Sequence, residues 1–285
     1  MNAYITGGFN CGFGSIYDSI YRFYNTQEYL KKLGYSVKIY VNFDNNHYRT
    51  HNSDREFIKK IFNFELFDNI VLCTSGFDPH QENFDEKKEC ELILNKDRIY
   101  YVYVDKKVDG LQYIEDYHDW QKRDDLPKVN MFSDNVITFC NEKMKSFNKE
   151  IVVIHYRPFE YQDQLEVLKQ SEKEIDDIIL NNLNKTVCLL TPFKTVKDYF
   201  KNKNYPNLYV NDYNFTEFFE IRGLKLPDDE LVPYLKEISF EMNLISKSKE
   251  IYRLGCSWFS NFLFHSCTFN QTNLTNKERY FPPYN

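Results

Sequence analysis

Ile151-Val152-Val153-Ile154-His155-Tyr156-Arg157-Pro158 is the stretch on which the fold turns. Its run of β-branched apolar residues predicts a short buried strand. A polar triplet, His-Tyr-Arg, follows at once, and Pro158 stops any regular continuation. Such a strand carries two donors, His155 and Arg157, at its C-terminal tip. In open α/β sheets that edge is where ligands bind. Arginine suits a phosphate there, because its planar fork donates two parallel hydrogen bonds. Taken alone, the triplet reads first as an arginine in a structural ion pair. The rest of the chain shifts the balance toward a phosphate.

Working outward, the C-terminal half alternates. Residues 163–183 predict a helix, with Leu165, Leu168, Ile175, Ile178 and Ile179 on one face. Thr186–Leu190 predicts a buried strand ending at Thr191-Pro192, and Thr195–Lys201 a short helix. Asn207–Val210 predicts a strand, residues 230–247 a helix and Glu250–Leu254 a further strand. The turn Gly255-Cys256-Ser257-Trp258-Phe259-Ser260 then precedes a helix expected near Asn261. Its backbone N–H groups and helix dipole can receive an anion, with Ser257 and Ser260 adding hydroxyl donors. An ordinary helix cap at Ser260 explains the same residues.

The N-terminal half opens on a strand-like Ala3-Tyr-Ile-Thr6. Gly7-Gly8-Phe9-Asn10-Cys11-Gly12-Phe13-Gly14-Ser15 follows. An amphipathic helix carries Ile16, Ile20, Phe23, Gln27 and Leu30 on one face, with Gly34 as its expected C-cap. Lys38–Asn42 is a second strand. Strand, glycine-rich turn, helix, strand is a βαβ unit, so the strands should be parallel. The glycines do not fit G-x-G-x-x-G. They read equally as a backbone cradle facing a cleft and as a tight turn. Strands are expected at 69–74 and 98–104 and a helix at 134–148, while 75–97 reads as irregular. The junction between an N-terminal domain (1–149) and a C-terminal domain (150–285) is placed near 149.

The chain has 285 residues, enough for one large or two medium domains. Its net charge of −6 argues against an extended nucleic-acid surface, though not against a local basic pocket. The seven cysteines are scattered singly, at 11, 73, 90, 140, 188, 256 and 267, with no C-x-x-C pair. That fits free thiols in a reducing compartment, and a cytoplasmic location is expected. No signal peptide or run long enough to span a membrane is seen. No cluster with metal-ligand spacing occurs either, so no metal site and no cofactor are expected.

A glycine-rich first turn, a strand ending His-x-Arg and a late strand followed by Ser-Trp-Phe-Ser stand in order. In that order the sequence resembles the fucosyltransferase superfamily with the H-x-R motif, in particular the α-1,6-fucosyltransferases. Cys11 through Ile20 resembles their first turn and helix, and Ile154-His-Tyr-Arg157 their phosphate-binding strand end. Thr191 resembles the threonine ending their next strand. Glu241 through Ser260 is similar to their late acidic residue, helix, strand and serine-rich turn. The resemblance spans about two thirds of the chain. Two positions depart from it. Pro158 stands where the family usually has a second arginine, and Pro192-Phe193 where it usually has an acidic pair.

The resemblance implies an α/β protein of two facing Rossmann-like domains, the GT-B arrangement. It implies a GDP-sugar donor, GDP-fucose first, held by the second domain, and a glycan acceptor received by the first. It also implies inversion at the anomeric carbon without a divalent metal, and the sequence contains no Asp-x-Asp. Arg157 and the 255–260 turn then stabilise charge on the leaving diphosphate, and His155 binds phosphate or orients the arginine. Glu160, Asp163 and Glu166 are the candidates for the base. Gly12, Phe13, Gly14, Ser15, Thr191, Glu241, Trp258 and Phe259 complete the expected substrate contacts. The departures keep two other readings open: a non-catalytic glycan- or nucleotide-binding protein on this scaffold, and a transferase using a different nucleotide sugar.

Overall fold

The structure is a computed structural model that describes residues 1–8, 13–42, 56–73, 90–94, 100–108, 130–157, 164–211, 228–254 and 275–279. The chain divides into two compact units. One comprises Met1–Asp134 with Lys225–Asp228; the other comprises Asn135–Leu224 with Asp229–Asn285.

In the first unit β1 (Asn2–Gly8) leads to α1 (Phe13–Lys32) and β2 (Ser36–Asn42). Then come α2 (Glu56–Ile61), β3 (Ile70–Cys73), β4 (Glu91–Leu94) and β5 (Tyr100–Val104). The sheet order is β3-β2-β1-β5-β4. β1, β2 and β3 run parallel, as the βαβ pattern requires. β5 lies antiparallel to both β1 and β4, so this sheet is mixed and departs from the all-parallel arrangement of a Rossmann domain. Only residues 95–99 separate β4 from β5, too few for a parallel crossover. β4 was expected to be irregular chain.

The predicted face of α1 is buried: Ile16, Ile20, Phe23, Gln27 and Leu30 are each at most 1% exposed. Asp18, Ser19, Arg22, Asn25 and Thr26 are buried too, and Arg22 Nε donates to Asp18 Oδ2 at 2.8 Å. The helix ends as expected at Gly34, whose φ of 85° is in the left-handed region. There the N–H of Tyr35 donates to the carbonyl of Leu30 at 3.0 Å.

Gly7 belongs to β1, and its reason is packing. A Cβ placed on it would lie 2.5 Å from Cζ of Phe23 and 3.1 Å from Cβ of Tyr100. Both side chains are fully buried, so the contact cannot relax outward. Gly7→Ala should destabilise the protein by about 1–3 kcal/mol, the usual cost of overpacking. A thermal midpoint equal to the unsubstituted protein's would show that the Phe23 ring moves aside freely.

The second unit contains α3 (Asp134–Met144, from its second residue), β6 (Ile151–Tyr156), α4 (Gln164–Leu180), β7 (Thr186–Leu190) and α5 (Lys194–Asn202). It continues with β8 (Leu208–Tyr209), α6 (Asp228–Lys247, from its second residue), β9 (Glu250–Leu254) and β10 (Thr275–Arg279). Every strand pair is parallel, in the order β10-β9-β6-β7-β8. The earliest strand, β6, is central; β7 and β8 follow on one side, β9 and β10 on the other. This is the doubly wound Rossmann order, and the winding reverses between β6 and β9.

One face of this sheet builds the main core. Val152, Ile154 and Tyr156 of β6 join Val187, Leu189, Tyr252 and Leu254 against α4 and α5, through Leu168, Ile175, Ile179, Val196 and Phe200. Alternation then points Ile151, Val153 and His155 to the opposite face. Cys188 is on that face as well, and the Glu241 carboxylate of α6 acts on its thiol, so this is the α6 side.

The two units divide at 134/135, ahead of the expected junction near 149. The segment ahead of β6 is bound to the second unit by its side chains. Lys143 Nζ donates to Glu237 Oε2 of α6 at 2.6 Å, and Phe147 packs on Tyr209 and Phe240 at 5.0 and 5.9 Å between ring centroids.

Candidate functional site

β6 delivers its polar tip to the C-terminal edge of the second sheet at the reversal point. His155 is paired in register with Leu190 of β7 on one side and with Arg253 of β9 on the other. Arg157 stays in the ladder: its N–H donates to the carbonyl of Leu254 at 2.9 Å. Side-chain alternation therefore puts His155, Arg157 and Arg253 on one face, the α6 side, at one end of the sheet. All three are buried, at 6%, 7% and 6% exposure.

Their electrostatics follow from that placement. Burial, with the positive charges of Arg157 and then Arg253, pushes the His155 pKa down to about 3. The imidazole is neutral at physiological pH and offers one donor and one acceptor. The edge thus carries fixed guanidinium charge beside a neutral hydrogen-bonding ring, which suits an anion with several oxygens.

Thr191 directly follows β7 at the same edge. It is 2% exposed, and its hydroxyl accepts from the N–H of Phe193 at 3.4 Å. Its hydroxyl thereby shapes the entry to α5, whose cap residue, Phe193, makes no side-chain cap bond.

Glu241 is brought to the same face by α6. Its residue keeps some exposed surface, but its carboxylate is enclosed, and burial pushes its pKa up to about 7. Lys197 offsets part of that rise, as does the Asn211 amide, whose Nδ2 donates to Glu241 Oε1. Asn211 in turn accepts from Lys197 Nζ at 2.6 Å. Burial lowers the Lys197 pKa. The chain Lys197–Asn211–Glu241 therefore ties α5 to α6 past the end of the two-residue strand β8.

Of the other expected site residues, Phe13 is 2% exposed, and its ring stacks on Phe62 and Phe132 at 5.4 and 6.4 Å between centroids. Gly14 and Ser15 lie in the first turn of α1, and Glu166 in the first turn of α4. Gly12, Glu160, Asp163, Ser257, Trp258, Phe259 and Ser260 lie outside the described residues. Among the described residues no group of three or more His, Cys, Asp and Glu is placed to hold a metal ion, and no helix is long and apolar enough to cross a membrane.

Sequence reasoning missed Arg253, Lys197 and Asn211. The signal for Arg253 was available: a cation one residue from the end of a buried parallel strand, in Glu250-Ile-Tyr-Arg-Leu254. Lys197 and Asn211 had none, since their meeting depends on how α5 and β8 pack.

A doubly wound sheet with a cationic edge at its reversal point, together with a mixed-sheet α/β unit, defines a two-unit α/β protein. More particularly, its fold is fucosyltransferase-like. It matches NodZ α-1,6-fucosyltransferase co-crystallised with GDP at a TM-score of 0.51, with 11% identity over 92% of both chains. The same enzyme soaked with GDP-fucose, and fucosyltransferase NodZ from Bradyrhizobium, each match at 0.50 with the same identity and coverage. No protein-family model and no curated protein matches the sequence.

Proposed function

We propose that the protein is a metal-independent, inverting glycosyltransferase that moves a sugar, L-fucose first, from a GDP-sugar to a glycan hydroxyl. The observation that carries this reading is the His155–Arg157 strand end at the reversal point of the second sheet. The likeness to NodZ structures that contain GDP or were soaked with GDP-fucose supports the choice of donor. The second unit holds the donor, and the first receives the acceptor in a GT-B manner.

In the reaction, the bond between the anomeric carbon and the diphosphate oxygen breaks, and its electron pair leaves on the diphosphate. The acceptor oxygen forms the new bond, and its proton passes to a carboxylate among Glu160, Asp163 and Glu166. Arg157 stabilises the charge growing on the leaving oxygen, work that other transferases give to a metal. His155, neutral, hydrogen-bonds the phosphate or holds the guanidinium. Glu241 contacts the ribose or the base. No cofactor is required, and a cytoplasmic setting suits both the donor and the free thiols of Cys90, Cys140 and Cys188.

A thermal-shift series with GDP and UDP tests the donor. At 100 times its dissociation constant GDP should stabilise the protein by about 2.7 kcal/mol, with no response to UDP. A response to UDP alone would sink the GDP reading. Transfer from GDP-fucose should persist in EDTA. Nucleotide binding with neither transfer nor donor hydrolysis would favour a non-catalytic binder, which the Pro158 and Pro192-Phe193 departures allow.

A further inference from the structure

The reversal point is flanked by two strands, each with an arginine within one residue of its C-terminal end. β6 supplies Arg157, and β9 supplies Arg253 as the register partner of His155. The Arg157 N–H bond to Leu254 fixes the two strand ends against one another. Arg253 is 6% exposed and shares a sheet face and a sheet end with Arg157. The guanidiniums of Arg157 and Arg253 both act on the His155 imidazole. Positive charge concentrated at a buried strand end where ligands enter such a sheet is arranged for an anion with more than one charged oxygen.

Resting on the donor reading above, we propose that Arg253 is a second phosphate-binding residue, which grips the donor diphosphate jointly with Arg157. Pro158 removes a cation next to Arg157 along the chain, and Arg253 supplies one diagonally across the ladder, opposite His155. With the diphosphate held from two strands, negative charge arriving on the leaving oxygen is shared between two guanidiniums as the sugar–oxygen bond breaks. A purely structural Arg253 would instead support the ends of β6 and β9 without regard to phosphate.

Calorimetric titration of the full chain with GDP and with guanosine separates these roles. Arg253→Met keeps the length of the side chain and removes its charge. It should weaken GDP binding about ten- to a hundredfold, the range for hydrogen bonds to charged groups, and leave guanosine binding unchanged. Arg253→Lys keeps the charge without the fork, should recover part of the loss, and serves alone if the methionine variant does not fold. GDP binding by Arg253→Met at the unsubstituted level, while Arg157→Ala loses it, overturns the proposal and leaves the donor reading standing. Equal weakening of GDP and guanosine also overturns it, as a packing effect. A protein without substitution that binds neither GDP nor UDP overturns the donor reading itself.

Discussion

Arg157→Ala lowers the rate of sugar transfer by about a hundred- to a thousandfold, the usual cost of one lost donor to transition-state charge. The fold should survive, since Arg157 follows the last residue of β6 and its ladder bond uses the main-chain N–H, which alanine keeps. The loss should fall on kcat as well as on donor affinity, because the charge grows most on the leaving oxygen during bond breaking. The substitution also has a readout independent of activity. Arg157 is one of the two charges holding His155 down, so the His155 pKa, followed by NMR, should rise in the variant. A transfer rate within a fewfold of the unsubstituted protein would leave the strand end purely structural.

The second large effect is on stability against pH, where His155 and Glu241 pull in opposite directions. His155 is held neutral in the fold, with a pKa of about 3 against about 6.5 when unfolded. Below pH 6.5 the unfolded chain takes up a proton that the fold refuses, so stability falls as the medium is acidified from 6.5 toward 3. Glu241 is held protonated more readily in the fold, with a pKa of about 7 against an ordinary value of 4.5. Between pH 4.5 and 7 the fold binds the extra proton, so this group stabilises on acidification and costs stability as pH rises through 7. Several other groups tune Glu241: Lys197 of α5, Asn211 after β8, Lys143 of α3 and Glu237 on its own helix.

Over the window where both act, the two contributions largely cancel. Single substitutions expose them. Glu241→Gln should lose stability on acidification from pH 6.5 to 4.5 by roughly 2–3 kcal/mol relative to the unsubstituted protein, and His155→Gln should gain about as much. Chemical denaturation at several pH values measures both slopes. Curves for the two variants that run parallel to the unsubstituted one would show that neither group is shifted in the fold.

The second unit was legible because β6 has the density of β-branched residues that a buried parallel strand needs, and because the helices around it repeat at helical spacing. Its strand order was not written in any one segment; it follows from which faces α4, α5 and α6 bury. In the first unit β4 was hidden, since Glu91–Leu94 is short and stands beside a charged stretch. Gly7 looked like a turn residue and is a strand residue under an aromatic ring, a distinction set by Phe23 sixteen positions away. At the candidate site, the positions of His155 and Arg157 at the end of β6 could be read because they continue its apolar run. Arg253 could not be joined to them without the β6–β9 register. The stacking of Phe13 on Phe62 was not legible, because an aromatic beside glycines looks alike whatever it packs on.

The side-chain ties of the segment ahead of β6 bear on how the protein can be cut into working pieces. A fragment begun at residue 150 would contain the whole second sheet and still lack Lys143 and Phe147, the partners of Glu237 and Phe240. It would bare the aromatic side of α6 to water and invite self-association. A fragment begun ahead of Asp134 carries α3 with it and keeps these contacts to β8 and α6.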